Sequence, residues 1–153
     1  MDFEDTYNII DSLILCKFSR GVYYEELKDM TKYYTLATGI KMTPEELKQA
    51  GERINNLARV INIREGKGTR EYDTLPPKIM TVPIPDEGVA KGACVNQKEF
   101  DIGLDDYYEV RGWTKEGIPT VEKLKELGLD DLIPIVKKKL GSQTSAKKEK
   151  GGK

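Results

Sequence analysis

Apolar positions recur along most of the chain at intervals of three and four, the rhythm of helices rather than strands. In the first segment, Asp5 to Lys17, Tyr7, Ile9, Ile10, Leu13, Ile14 and Leu15 are apolar, with Ile10, Leu13 and Ile14 at helical spacing. Apolar residues fall nearly all round this helix, which predicts burial, and Ser19-Arg20-Gly21 breaks it. Tyr24 to Thr38 predicts a second helix, with Leu27, Met30, Tyr34 and Ala37 on one face and Gly39 as its stop. The third has the clearest start: Thr43-Pro44-Glu45-Glu46 is a capping box with proline at the first helical position. Leu47, Ala50, Ile54, Leu57, Ala58 and Ile61 then make an apolar stripe opposite Glu45, Lys48, Glu52 and Arg59. This helix is expected to reach Arg64 and end at Gly66.

Gly66 to Val95 reads as irregular, with Pro76-Pro77, Pro83, Pro85 and four glycines. A loop this long inside a domain is usually functional or wraps another surface. Thr81-Val82-Pro83-Ile84-Pro85 is excluded from a central strand because proline removes ladder donors. A fourth helix is expected over Lys98–Val110, capped by Asn96, burying Phe100, Leu104, Tyr107 and Tyr108 and ending at Gly112-Trp113. Shorter helices follow over Val121–Leu127, between Thr120 and Gly128, and over Asp131–Leu140, capped by Asp130. Ser142 to Lys153 is lysine-rich with Ala146 as its one apolar residue, which predicts disorder. The expected fold is all-α: a multihelical single domain over 1–141 with a long irregular Pro/Gly-rich loop, and a disordered tail over 142–153.

Composition narrows the function. At 153 residues the chain is large enough for one hydrophobic core. A net charge of -1 supplies no field for nucleic acid or an anionic membrane surface. No run approaches the ~18 apolar residues of a membrane span. The acidic start Met1-Asp2-Phe3-Glu4-Asp5 is unlike a signal peptide, so the cytoplasm is the expected compartment. There is no histidine, which removes the commonest general base and the commonest metal ligand. A self-contained zinc enzyme or a Ser-His-Asp hydrolase is thereby disfavoured. Two cysteines, Cys16 and Cys94, permit a disulfide by count, but a cytosolic setting disfavours one.

Candidate chemistry concentrates at Asp11-Ser12-Leu13-Ile14-Leu15-Cys16-Lys17. A cysteine ending an apolar segment is more often a small core residue than a ligand. Asp11 in an apolar run must pair, cap or accept a hydrogen bond. Lys17 beside Cys16 favours a thiolate. Arg111-Gly112-Trp113 after Tyr107-Tyr108 is either a stacking platform or, more simply, an aromatic helix end packed on the core. Gly66-Lys67-Gly68-Thr69 lacks the full phosphate-loop pattern.

Five segments taken in order are more specific than any one. They are Asp11 to Lys17; Ala50-Gly51-Glu52-Arg53-Ile54-Asn55-Asn56-Leu57-Ala58-Arg59 with Asn62-Ile63-Arg64-Glu65-Gly66; Asp73-Thr74-Leu75-Pro76-Pro77; Tyr107-Tyr108-Glu109-Val110-Arg111-Gly112-Trp113; and Gly117-Ile118-Pro119-Thr120. Together they resemble the C-terminal domain of the tungsten-containing aldehyde:ferredoxin oxidoreductases, the first segment matching the family pattern D-x-x-G-L-C followed by D or K. The resemblance implies enzymes that oxidise aldehydes to carboxylic acids and pass electrons to ferredoxin. It implies tungsten held by two pterin dithiolenes and a neighbouring 4Fe-4S cluster. Three cluster cysteines come from a C-x-x-C-x-x-x-C run in the middle domain and the fourth from the C-terminal domain. By motif position Cys16 corresponds to that fourth ligand, with Asp11, Leu15 and Lys17 in the cofactor-contacting loop. Two departures stand out: Ile14 occupies the family's glycine position, and the three-cysteine run is absent from this sequence.

The resemblance therefore implies a part of such an enzyme, inactive alone, whose partners are the remaining domains or a separate catalytic subunit, with ferredoxin reached indirectly. The alternative is a non-catalytic helical interaction or regulatory module derived from that domain. The first reading expects an apolar face around Leu13, Leu15 and Cys16 to stand open; the second expects it closed.

Overall fold

The computed structural model describes residues 2–22, 26–85 and 87–150. Seven α-helices occur among them: α1 (Asp2–Ser12), α2 (Leu27–Thr38), α3 (Pro44–Arg64), α4 (Pro77–Thr81), α5 (Gln97–Arg111), α6 (Val121–Glu126) and α7 (Ile133–Lys150). Single 3-10 turns lie at Lys17–Ser19, Arg70–Tyr72 and Asp130–Leu132. The described residues contain no strand, and one isolated antiparallel bridge joins Trp113 and Pro119. The fold is all-α, and no described helix is long and apolar enough to cross a membrane.

The longest regular helix inside the core, α3, is the axis on which α1, α2 and α7 pack. Its start follows the sequence signal: the Glu46 amide donates to the Thr43 hydroxyl (3.2 Å), and the Thr43 amide to the Glu46 carboxylate (2.8 Å). Around its N-terminal half Ile9, Ile10, Met30 and Leu47 form one apolar cluster, with Leu13, Leu15, Leu27 and Met42 against it. Around its C-terminal half Val60 and Ile63 pack with Ile118, Leu124 and Val136. The helices α1 and α3 approach closely at Gly51, where a Cβ would lie 2.5 Å from the Asp5 carbonyl oxygen.

Of the predicted apolar stripe of α3, Leu47 is buried, but the rest of the buried face differs. Leu47, Gly51, Asn56, Val60 and Ile63 point inward, while Leu57 (38% exposed) and Ile61 (40%) face outward. Glu52 and Arg59, expected on the solvent face, are largely enclosed in ion pairs. The sequence stripe was real, but the close crossing at Gly51 and the partners available to Asn56 and Arg59 set the inward face.

Helix α1 ends at Ser12, five residues before the expected Lys17. Expected to be buried nearly all round, it leaves Phe3 and Tyr7 at the surface. The expected start of α2 at Tyr24 lies outside the described residues. Gly39 ends α2 in the left-handed conformation, as predicted. The 66–95 segment holds more order than expected: a 3-10 turn, the short α4 with proline in its first turn, and a folded-back loop. In that loop the Ile84 amide donates to the Ala93 carbonyl (3.0 Å) and the Gly92 amide to the Ile84 carbonyl (2.9 Å). Asn96 caps α5 as read from the sequence, its side-chain oxygen accepting from the Lys98 and Glu99 amides. The backbone of α7 runs on to Lys150, through residues expected to be disordered. Lysine, glutamate, glutamine and alanine are good helix formers, so a helix already started continues into them.

Candidate functional site

The loop leaving α1 carries every residue the sequence singled out for cofactor chemistry. Its geometry begins with the way α1 stops. The Leu15 amide donates to the Ile10 carbonyl (2.9 Å) and the Ile14 amide to the Asp11 carbonyl (3.1 Å), the two bonds of a Schellman motif. That motif needs a left-handed residue between them, and Ile14 takes it with φ 56°. Among the described non-glycine residues Ile14 alone has positive φ. A β-branched residue there costs about 1–2 kcal/mol, which glycine avoids. The side chains alternate sharply as a result. Leu13 and Leu15 turn in to the first apolar cluster, whereas Ile14 is 92% exposed.

Cys16 follows in extended conformation (φ -71°, ψ 121°) and starts the 3-10 turn. Its carbonyl accepts from the Ser19 amide (3.0 Å) and hydroxyl (2.6 Å), and its thiol side is exposed. Neither Cys16 nor Cys94 forms a disulfide. Lys17 Nζ reaches back to Asp11 (3.0 Å) and sits 5.1 Å from the Tyr7 ring centre, tying the loop to α1. Phe18 is 99% exposed. The apolar face expected to stand open is closed at Leu13 and Leu15, which pack on the first cluster; the exposed residues of the loop are instead Ile14, Cys16 and Phe18. Asp11, Leu15, Cys16 and Lys17 are gathered in one short loop. No group of three or more His, Cys, Asp or Glu among the described residues is placed to hold a metal ion.

The other matched segments meet elsewhere, in a polar belt between the two apolar clusters. Arg111 is fully buried and donates to Asp5 (2.7 Å) and to Glu4, whose carboxylate also accepts from Tyr107 (2.9 Å). Asp5, 1% exposed, further accepts from Asn55 (2.5 Å). Arg59 grips Asp73 with both guanidinium NH2 groups (2.8 and 2.5 Å) and donates through Nε to the Gly117 carbonyl (2.7 Å). Tyr108 donates to the same Asp73 carboxylate. The Trp113 indole donates to Asn56 (2.8 Å), and its ring lies 4.7 Å from the Arg59 guanidinium. Gly112, left-handed at φ 68°, turns the chain so that Trp113 folds back under α5.

These contacts set the ionisation of the belt. Burial works to raise the Asp73 carboxyl, but hydrogen bonds from Arg59 and Tyr108 and the Arg59 and Arg70 charges outweigh it and hold it below the usual carboxylate range. At Glu4 burial is likewise outweighed by Arg111 and Tyr107. Burial and the hydrogen bond to Asp73 push the Tyr108 phenol upward, so it stays a donor at neutral pH. A recess of about 380 Å³ opens beside this belt between Glu4, Asp73, Phe100 and Tyr107, but its charged groups are already engaged: Asp73 with Arg59, and Glu4 with Arg111 and Tyr107. Of the two sequence readings for Tyr107 to Trp113, packing is the one found. Sequence reasoning missed the Arg59–Asp73–Tyr108 triad; the signal available was an arginine and an aspartate in two separate matched segments.

The fold and the loop together define a helical domain with the Cys16 loop at its surface; Cys94 is exposed as well. The family model for aldehyde ferredoxin oxidoreductase, domains 2 and 3, matches residues 1–129. The chain is 39% identical over 132 residues to the tungsten-containing aldehyde ferredoxin oxidoreductase of Pyrococcus abyssi, covering 86% of this chain and 21% of that protein. It is 30% identical over 133 residues to the aliphatic sulfonate oxidoreductase WOR-like subunit of Pyrococcus furiosus, covering 84% and 20%. Among solved structures, the active-site complex BamBC of benzoyl coenzyme A reductase with 1,5-dienoyl-CoA aligns with TM-score 0.56 and 30% identity, over 69% of this chain and 14% of that one. The chain belongs to the tungsten-containing aldehyde ferredoxin oxidoreductase family and corresponds to its C-terminal domain. It spans about a fifth of the length of the curated relatives it matches.

Proposed function

We propose that this chain supplies the C-terminal portion of a tungsten-pterin aldehyde:ferredoxin oxidoreductase, with residues 1–141 as the helical domain, and that it is inactive alone. The observation that carries the reading is the exposed Cys16 thiol, at the family's cysteine position, held on a hydrogen-bonded loop. A 4Fe-4S cluster takes four thiolates, and the donors here fit one corner of it. The tungsten-pterin and the cluster, when bound, supply the chemistry of oxidising an aldehyde to a carboxylate and releasing electrons to ferredoxin. The chain's own residues bind and orient. Cys16 gives one thiolate. Lys17, next to Cys16 in sequence and paired with Asp11 at 3.0 Å, would offset thiolate charge. The Asp11 carboxylate is an acceptor for pterin N–H groups. The Leu15 amide is taken by Ile10, so a pterin contact from Leu15 falls to its carbonyl or side chain. The partner is the remaining domains or a separate catalytic subunit.

The test is purification of the tagged chain from its own cells, with iron and tungsten analysis and aldehyde-dependent viologen reduction. A larger metal-containing partner with activity is expected, and Cys16→Ala is expected to lose iron and activity while keeping its helical circular dichroism. A metal-free chain with no such partner would overturn the reading and leave a non-catalytic helical module.

A further inference from the structure

We propose that Ile14 and Phe18 form a two-point apolar anchor that seats this domain on the polypeptide carrying the other three cluster cysteines. The proposal rests on the reading of Cys16 as a cluster ligand and goes beyond it, because it names the residues that hold the two parts together.

Three observations converge on these side chains. Ile14 adopts φ 56°, a conformation β-branched residues avoid, yet its side chain is 92% exposed. The Schellman hydrogen bonds and the inward turn of Leu13 and Leu15 hold that backbone, yet the Ile14 side chain itself gains no packing within the chain. Phe18 is 99% exposed, so it too contributes nothing to the core. Both lie two residues from Cys16, one on each side.

The occupant follows from the ligand count. One cluster gathers four thiolates onto a single small cube. The polypeptide that supplies three of them must come against the residues flanking the fourth. About four fifths of the relatives' length lies outside the part this chain matches, enough for such a polypeptide. A second copy of this chain does not fit: paired Cys16 residues supply only two thiolates at that face. The glycine of the family pattern leaves no side chain at this position; Ile14 adds one, so the facing polypeptide must offer an apolar socket. A few side chains seated in well-packed, desolvated pockets near the centre of an interface carry most of its affinity.

The experiment compares wild type, Ile14→Gly, Ile14→Leu, Phe18→Ser and Cys16→Ala, each tagged and produced in the source cells. The fraction of chain in the iron-containing assembly is read beside the thermal midpoint of the free chain. Ile14→Gly is expected to raise the midpoint by about 2–4 °C and to weaken assembly about tenfold or more. This opposition of sign is what a merely structural role for Ile14 does not produce. Ile14→Leu should assemble as wild type. Phe18→Ser should weaken assembly with the midpoint unchanged. Wild-type assembly by Ile14→Gly and Phe18→Ser, or a lowered midpoint for Ile14→Gly, overturns the anchor. Cys16→Ala separates the two claims: loss of iron with assembly retained upholds the cluster reading whatever Ile14 does. A wild-type chain that only self-associates, with no iron-containing partner, overturns both.

Discussion

The loop from Asp11 to Ser19 and the belt around Asp73 both match the same family, and they treat their side chains in opposite ways. In the belt, Arg111, Asp5, Arg59, Asp73, Tyr108, Asn56 and Trp113 bond to one another or to backbone inside the chain. At the loop, Ile14, Cys16 and Phe18 are turned to the surface, and a non-glycine residue holds a left-handed backbone. A matched segment is therefore not by itself a site. Where the residues are buried or half-buried and paired with one another, as at Arg111 with Asp5 and Arg59 with Asp73, the match records what the fold requires; the exposed loop residues do not serve the core in this way.

Substitutions separate the two regions, and the largest effect belongs to the belt. Arg111→Met leaves the buried Asp5 without its cation and is expected to cost about 3–5 kcal/mol in urea unfolding. Combining it with Asp5→Asn should recover part of that loss, because the uncompensated charge is then gone. Tyr108→Phe removes one hydrogen bond to Asp73 and should cost about 1–2 kcal/mol. The belt also makes stability depend on pH. The Asp73 and Glu4 carboxyls are held below their ordinary values, so their contribution is fully present above the ordinary carboxylate range. It is lost as pH falls through the lowered folded values. Thermal midpoints should fall steadily below about pH 4, and Asp73→Asn should flatten that profile. The loop gives the smallest change: Phe18→Ser should stay within about 0.5 kcal/mol of wild type. A belt substitution without cost, or a large cost at Phe18, would erase the contrast.

Much of the helical order was legible because its signals are local. Thr43 and Glu46 reciprocate as written, Asn96 caps α5, and Gly39 and Gly112 stop their helices. What was not legible depends on residues distant in sequence or on an unusual choice at one position. The end of α1 carries no glycine to announce it, so the apolar run through Leu15 reads as more helix, although Ile14 breaks it. The inward face of α3 was misassigned because Asn56 and Arg59 look like solvent residues until Trp113 and Asp73 arrive from 57 and 14 residues away. At the candidate site, the sequence assigned the open face to Leu13, Leu15 and Cys16; a Schellman cap at Ile14 turns Leu13 and Leu15 inward and Ile14 outward.

The pairing of Asp5 with Arg111 spans 106 residues, and this imposes an order on how the molecule comes together. A carboxylate at Asp5 resists leaving water until its cation is present. The first helix can therefore seat fully only after the end of the fifth has been made and has closed a long loop. The Cys16 loop hangs from that first helix, so its placement depends on an arginine nearly a hundred residues further on.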